Sequence, residues 1–296
     1  GSARWAERKD IEEMGLIGKG EGVYIGGWED KKTGQIHYLR HNGPEHIIAF
    51  APSRSGKGVG LVLPTLLSWP HSTVVYDIKG ENYALTAGWR EKQAGQRVLK
   101  FSPVELEGGH SFNPLSEIRL GTPRDVSDAQ NIAFMLTHPK GDTDDEDHWV
   151  ESATSLLTGV ILYACYKAKA EGRIASLPEV AAVLTTPGQS FEETLNEMLL
   201  TPLDEANQYG WRTVRGNPTS VHPVVAEKAQ EMLDKEDKEL SGILSSAKVK
   251  LQLYSDPIVS ANIGRSDFCV NDLVNGDKPT SLYIVVPPSD KDRLKP

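Results

Sequence analysis

The first forty residues alternate between polar and hydrophobic positions in a way that predicts small, local elements. Residues 6–14 mix apolar and charged side chains at helical spacing, and glycines follow them, which predicts one short helix. Residues 23–25 and 36–39 are apolar and aromatic, and they flank a stretch rich in turn-forming residues. That pattern predicts a β-hairpin.

Short apolar runs bounded by loop residues then recur along the chain, at 46–50, 73–77, 97–101 and, far downstream, 282–286. Residues 56–69 and 82–94 separate the first three runs, and both are long enough for crossover helices. Alternation of buried strands with helices is typical of a parallel sheet. The sequence therefore predicts an α/β domain with a mainly parallel sheet flanked by helices.

The middle of the chain, residues 112–256, has few strand signals and several helical ones. Ser190 and Glu193 have the spacing of a capping box before an apolar helix. Residues 149–169 form a long apolar-periodic segment, and residues 224–254 favour helix, with Gly242 as a predicted break. We therefore divide the chain into 1–111 (the first part of the α/β domain), 112–256 (an inserted all-α domain) and 257–296 (the return to the α/β domain).

Composition narrows the class of protein. Hydrophobic residues make up 39% and charged residues 25%, which is a soluble globular balance. No run of 18 apolar residues exists, and the charged first ten residues do not resemble a signal peptide, so we expect neither a membrane span nor a leader. The two cysteines, Cys165 and Cys269, have no paired spacing, which fits a reducing cytoplasm and gives no metal site.

The net charge of −9 is unevenly distributed. Residues 111–256 carry −10, the residues before them +1 and the residues after them 0. Acidic surface repels phosphate backbones, so the middle segment is not an ordinary duplex-binding module. Ordinary solubility explains such a charge equally well. The acidic run at residues 142–147 lacks the glycine and the final glutamate of an EF-hand, so we interpret it as a solvated loop.

A candidate phosphate-binding loop, residues 51–58 (APSRSGKG), follows the first predicted strand and opens a predicted helix. In such a loop backbone N–H groups surround phosphate oxygens, the helix directs its positive end at the anion, and a lysine reaches the terminal phosphates. The candidate nucleotide-binding residues lie in and just after this loop, with Lys57 as the catalytic one: Ser53, Arg54, Ser55, Gly56, Lys57, Gly58 and Val59.

The loop departs from the strict pattern G-x-x-x-x-G-K-[ST]. Only Gly56 and Lys57 match it, because Ala51 replaces the first glycine and Gly58 the hydroxyl residue. A glycine-rich strand-to-helix turn without a ligand is the alternative interpretation. The lost hydroxyl leaves the Mg²⁺ ligand open, with Ser53, Ser55 or a water as substitutes. Pro64 predicts a kink or an early break in the helix that follows.

A second candidate site lies where the second strand ends, at Asp77, Lys79 and Glu81. Ligands of open α/β sheets bind beyond the carboxyl ends of the strands, so these side chains are expected on the same edge as Lys57. An acid there could orient a metal-bound water, and Lys79 could contact phosphate. The alternative is an ordinary helix start with Glu81 in its first turn.

These residues together resemble the type IV coupling proteins, the TraG-like ATPases of bacterial conjugation and type IV secretion. The resemblance runs through essentially the whole chain. It rests on these segments: residues 1–6 (GSARWA), 39–46 (LRHNGPEH), 51–60 (APSRSGKGVG), 64–70 (PTLLSWP), 77–81 (DIKGE), 112–115 (FNPL) and 282–288 (LYIVVPP). The family's loop tolerates alanine first and glycine last, so both departures are expected.

The resemblance implies a RecA-like P-loop fold that binds ATP and Mg²⁺, with an inserted all-α domain that recognises substrate. It implies a protein at the cytoplasmic face of the bacterial inner membrane that works as a hexameric motor. Its implied partners are a relaxase–DNA nucleoprotein or a secreted effector, the components of the secretion channel, and single-stranded DNA in the assembled motor.

The family's membrane anchor and its Walker B strand, an apolar run ending in Asp-Glu, are not in this sequence. We therefore expect a soluble fragment with little or no ATP turnover. The sequence is compatible with two functions. The first is a motor in which ATP hydrolysis drives nucleoprotein transfer. The second is a recognition adaptor in which nucleotide only controls assembly.

Overall fold

The computed structural model describes residues 4–18, 20–139 and 148–294. They form two compact units. The sheet unit is the described part of Gly1–Leu99 and Asn271–Ile284, and the helical unit is the described part of Lys100–Val270 and Val285–Pro296. The acidic run at 142–147 lies outside the described residues.

The sheet unit begins with the predicted helix and hairpin, and both predictions are confirmed. Helix α1 spans Arg8–Glu13, and strands β1 (Val23–Glu29) and β2 (Ile36–His41) pair antiparallel with an irregularity between Tyr24 and Gly26. Asp30 fixes the turn between the strands, because its buried carboxylate accepts a hydrogen bond from the backbone N–H of Lys32 at 2.9 Å.

A three-stranded parallel sheet forms the rest of this unit, with the order β3-β5-β4. Its strands are β3 (Thr73–Asp77), β4 (Arg97–Phe101) and β5 (Thr280–Val285), and helix α3 (Glu81–Lys92) connects the first two along the chain. The last strand in the sequence is therefore central in the sheet, and five of its six residues are buried. Three of the four predicted strands and the α/β fold are confirmed.

The predicted strand at residues 46–50 is wrong. Residues 45–52 have no regular secondary structure, and the side chains of Ile48 and Phe50 are 76% and 88% exposed. A parallel strand needs a hydrogen-bonded neighbour and cover on both faces. Neither is present for this segment among the described residues, so its apolar character does not produce a strand here.

The helix after the candidate loop runs without interruption from Gly58 to Ser68. Residues Gly58–Val62 have π-helical winding and Leu63–Ser68, helix α2, have α-helical winding. Pro64 does not end this helix. The winding changes next to Pro64, because proline has no N–H to offer to the turn before it. We call residues Gly58 to Ser68 the loop helix.

The helical unit is built around helix α5 (His148–Ala170), which is buried on most sides along its second half. A helix that is apolar almost all round belongs in a core. Its neighbours include α4 (Asp125–Thr137), α6 (Leu177–Val183), α7 (Phe191–Leu200), α8 (Pro223–Leu233) and α9 (Asp237–Leu251). Helix α10 (Pro257–Ile263) packs against α6. The capping box of Ser190 and Glu193 is confirmed at the start of α7. A last short helix, α11, spans Val270–Asn275 and lies in the sheet unit from Asn271 onwards.

Gly242 does not break the helical segment 224–254, contrary to the prediction. The break falls between Leu233 and Asp237, and Gly242 lies inside α9. A Cβ atom at Gly242 would lie 2.4 Å from the Trp149 ring. The glycine is therefore needed for the close approach of the indole to α9, and not for a turn.

None of the helices in the described ranges is long and apolar enough to cross a bilayer.

Candidate functional site

The candidate loop 51–58 has the backbone shape that its glycine and its position before a helix predict. Arg54 and Gly56 have φ angles of 62° and 85°, in the left-handed region. Gly56 adopts this conformation without a steric penalty, whereas Arg54 is held there against its preference. The N–H of Ser55 donates to the carbonyl of Pro52 at 3.3 Å, and the N–H of Gly60 donates to the carbonyl of Gly56 at 2.7 Å. The loop is thus a tight turn that leads into the loop helix.

The Lys57 ammonium lies inside this loop. It donates hydrogen bonds to the carbonyl oxygens of Ala51 and, at 2.8 Å, of Pro52, and it lies 3.4 Å from the Ser55 hydroxyl oxygen. Both carbonyls belong to exposed residues of the loop itself, so the ammonium is held by the loop and not by the core. A lysine that crosses the loop to its first residues is placed to meet an anion that the loop surrounds.

The backbone donors at the start of the loop helix are available for an anion. In the described part of the chain, the N–H groups of Gly56 and Lys57 make no hydrogen bond to a main-chain carbonyl. Gly58 has open space where a side chain would be, so a ligand could approach its N–H closely. Unpaired N–H groups at a helix start, together with a lysine, favour phosphate. Only Ser53 and Ser55 supply hydroxyl oxygens within the loop.

The second candidate segment, at the end of β3, is arranged differently. Asp77 is buried, and its carboxylate accepts a hydrogen bond from the N–H of Tyr83 at 2.8 Å, so it caps the start of α3. Lys79 and Glu81 are exposed, and their charged atoms are 4.0 Å apart. Among the described residues, no hydrogen bond or ion pair joins this segment to the candidate loop. In the structure Lys57 therefore contacts its own loop, and Lys79 lies next to Glu81.

Sequence reasoning did not select Trp89 and Arg90, which lie near the end of α3. Arg90 falls on the same helix face as Thr86 and Ala87, and all three are buried. The sequence did contain a signal for Arg90. It follows Ala87 by three positions and Thr86 by four, which places a charged residue on the same helix face as two small ones. Both missed side chains contact the far end of the loop helix.

The helical unit carries acids of two kinds. Glu197 is held internally: hydrogen bonds from Tyr163, Lys167 and Gln189 lower its pKa to about 2. Glu231 accepts from the Ser155 hydroxyl at 3.0 Å and pairs with Lys228 at 3.0 Å. Asp234 and Asp237, on the turn between α8 and α9, are exposed. Residues 234–239 at this turn carry four acids and two lysines, so the exposed turn has a net charge of −2.

A parallel sheet flanked by helices, a tight turn at the start of a helix, and a helical unit that lies between β4 and β5 in the sequence define an α/β class of protein with an inserted helical unit. Comparison with known proteins gives the family. The chain matches the family described as Type IV secretory system Conjugative DNA transfer over residues 2–296, and it belongs to that family. The resemblance found in the sequence is confirmed.

Among curated relatives, the chain is 48% identical to a conjugal transfer protein TraG of Escherichia coli and 29% identical to a protein VirD4 of Rhizobium radiobacter. Both alignments cover 100% of this chain, but only 47% and 40% of the relatives. The chain thus spans about half the length, or less, of the curated relatives it matches.

Two solved structures of the coupling protein TrwB have a similar fold. The unbound protein has a TM-score of 0.51 at 17% identity, with 82% of this chain and 46% of that chain covered. The complex with the non-hydrolysable analogue ADPNP has a TM-score of 0.50 at 18% identity, with 82% and 47% covered. At these identities the likeness concerns the fold alone.

Proposed function

We propose that this chain is the nucleotide-binding and substrate-recognising part of a type IV coupling protein, a motor that uses ATP to pass a relaxase–DNA nucleoprotein or an effector protein to a secretion channel. The observation that carries the proposal is the Lys57 ammonium inside a phosphate-loop turn, in a chain of the conjugative DNA transfer family. A relative's structure with an ATP analogue supports it.

The loop fits a nucleoside triphosphate. The N–H groups of Gly56, Lys57 and Gly58 would surround the phosphate oxygens, and the Lys57 ammonium would exchange its two loop carbonyls for β- and γ-phosphate oxygens. Bound Mg–ATP supplies the phosphoryl group whose transfer to water drives such motors. Ser53 and Ser55 are the loop's own hydroxyl candidates for Mg²⁺, since position 58 is glycine.

We infer low ATP turnover for residues 1–296. The buried Asp77 carboxylate is already used as the cap of α3, and the exposed Glu81 pairs with Lys79. Neither side chain is arranged to hold an attacking water. Neither Asp77 nor Glu81 therefore takes the place of a Walker B acid in this arrangement.

The helical unit is the proposed recognition surface. Its acidic turn at Asp234 and Asp237 suits a basic protein partner such as a relaxase, and it disfavours naked duplex DNA. Single-stranded DNA, the channel components and further copies in a hexamer are partners of the assembled motor at the inner membrane. The same acidic surface favours the second function, a recognition adaptor in which nucleotide controls only assembly.

A transfer assay tests the role of nucleotide at this loop, which both functions require. Lys57→Ala is introduced into the gene, and DNA transfer to recipient cells is counted against Lys31→Ala, which changes an exposed lysine of the hairpin turn. The motor predicts that Lys57→Ala abolishes transfer at normal protein level, whereas Lys31→Ala transfers normally. Normal transfer by Lys57→Ala would reject a role for nucleotide at this loop.

A further inference from the structure

Arg90, on α3, is a fully buried cation with no carboxylate partner among the described residues. A buried charge is costly unless hydrogen bonds replace its hydration. Here its donors all go to carbonyl and hydroxyl oxygens. Burial lowers the pKa of this guanidinium. The oxygens that accept hydrogen bonds from Arg90 show which parts of the sheet unit this buried cation holds together.

The carbonyls that Arg90 contacts lie at the C-terminal end of the loop helix and just beyond it. Its Nη1 donates to Leu66 and, at 3.1 Å, to Trp69, and its Nη2 donates to His71 at 3.1 Å. The last carbonyls of a helix have no partner within the helix. The N–H groups of Arg90 therefore take the place of the backbone N–H groups that a further helical turn would supply. The positive charge of Arg90 also lies where the helix dipole is negative.

Two neighbouring side chains, Trp89 and Gln96, also donate hydrogen bonds to carbonyls at this end of the loop helix. The Trp89 indole N–H donates to the carbonyl of Leu67 at 2.9 Å, and the Gln96 amide donates to those of Trp69 and Pro70 at 3.2 and 3.0 Å. Arg90 Nε in turn donates at 2.7 Å to the hydroxyl of Ser281, a fully buried residue of the central strand β5. The end of the loop helix is thus tied to the centre of the sheet.

Core packing does little to hold the loop helix. Leu66 is its one buried residue, and its π-helical part has none. Val59 is 70% exposed, and Gly58 and Gly60 have open space around them. The hydrogen bonds at the far end, together with contacts to β1 such as the one between Tyr24 N–H and Thr65 at 3.0 Å, therefore fix where the helix begins.

We propose that Arg90 is a positioning residue for nucleotide binding: by holding the C-terminal carbonyls of the loop helix, it sets the axial position and rotation of that helix, and hence the placement of Gly56 and Lys57 at its other end. The inference rests on the proposed nucleotide function. Trp89 assists with a single hydrogen bond, and the planar fork of the guanidinium is what a lysine cannot reproduce.

The test is a titration of the whole chain with the fluorescent nucleotide mant-ADP, with the melting temperature of each variant measured in parallel. Arg90→Lys keeps the charge but loses the fork, and we expect its dissociation constant to rise by about tenfold or more, since an error of ~1 Å at an anion site is large. Trp89→Phe removes one hydrogen bond from a half-exposed side chain, and we expect a rise of about twofold to fivefold.

Thr86→Val is the matched control. Thr86 lies one turn before Arg90 on the same buried face, and its hydroxyl lies 2.6 Å from the Tyr283 hydroxyl, so the variant loses a buried hydrogen bond but none to the loop helix. We expect Thr86→Val to lower the melting temperature and leave the dissociation constant unchanged. A merely structural role of Arg90 predicts that Arg90→Lys behaves in the same way.

The outcomes separate the two proposals. If the wild-type chain binds no mant-ADP, or if Lys57→Ala binds it equally well, the proposed nucleotide function fails. If binding depends on Lys57 but Arg90→Lys and Trp89→Phe bind like the wild type, the positioning role is overturned. If Arg90→Lys does not fold, the dissociation constants of Trp89→Phe and Thr86→Val are compared instead. Equal affinity for mant-ADP in those two variants overturns the inference.

Discussion

The two units of this molecule hold their central helix and their loop helix, respectively, in different ways. In the helical unit, Leu157, Val160 and Ile161 of α5 are 0% exposed, inside a core that several helices share. In the sheet unit, large apolar side chains such as Phe50 and Val59 face solvent, and the loop helix buries one residue. Packing therefore determines the structure of the helical unit, whereas hydrogen bonds at its C-terminal end hold the loop helix.

This difference means that stability and proposed chemistry should respond to different mutations. We expect mutation of a residue in the α5 core to change the free energy of unfolding and to leave the loop at residues 51–58 intact. Lys57 is bound to carbonyls of its own loop, so we expect Lys57→Ala to weaken the proposed anion binding without opening a core.

The largest expected effect is on stability. Leu157→Ala in α5 removes a fully buried side chain, and such changes cost about 2–5 kcal/mol because they leave a cavity. Urea unfolding followed by circular dichroism should show this loss for the helical transition. Leu200→Ala, at the exposed end of α7, is the control and should change little. An equally small effect for Leu157→Ala would contradict the packed core.

The second prediction concerns recognition. Reversing the charge of Asp234 and Asp237 to lysine should weaken binding of the cognate relaxase by roughly tenfold at about 50 mM salt and by less at about 200 mM, because exposed charges are screened. Surface plasmon resonance measures both affinities. Glu205→Lys, on the α7–α8 connection, makes the same kind of charge change elsewhere and should have a smaller effect. Relaxase binding that is indifferent to these changes and to salt would show that the acidic turn is not the contact.

The smallest expected effect is the pH dependence of the helical unit. His222, at the start of α8, is buried 3.5 Å from Asp125 and close to Tyr166 and Trp211. Burial lowers its pKa below the ordinary 6.5, despite the opposing charge of Asp125. The unfolded chain then binds a proton that the folded chain refuses, so stability falls as pH falls below about 6.5.

His222→Asn tests this directly. His222 Nδ1 accepts a hydrogen bond from the N–H of Val225 at 3.4 Å, and asparagine can keep that cap. We expect the stability lost between about pH 7.5 and 5.5 to be smaller in the variant by about 1 kcal/mol or less, measured by urea unfolding at both values. The same loss in both proteins would assign the pH dependence to other groups.

Much of the fold could be predicted because local patterns and local structure agree. The hairpin, the capping box at Ser190 and the long α5 helix follow from spacing alone. Residues 46–50 could not be assigned correctly, since an apolar run becomes a strand only when a neighbour pairs with it. Gly242 was misassigned because its function depends on Trp149, a residue far away in the sequence.

The candidate site shows the same limit. The loop and Lys57 were visible as a motif, and the turn that they form follows from Gly56 and the helix that comes after it. The use of Asp77 as a helix cap could not be read from spacing, and neither could the bonds from Arg90 to the loop helix, because both depend on how α3 lies in the sheet unit.

The most direct test of the central claim, that the sheet unit binds nucleotide through Lys57 and that Lys57 does not contribute to stability, is isothermal titration calorimetry of the chain with Mg–ADP. Three proteins are compared: the wild type, Lys57→Ala and Lys31→Ala. We predict that the wild type and Lys31→Ala bind with equal affinity, that Lys57→Ala loses at least about 2–3 kcal/mol of binding free energy with the loss of its charge-assisted hydrogen bonds, and that all three melt at the same temperature. Equal binding by Lys57→Ala, or a loss of binding matched by a lower melting temperature, would contradict the account.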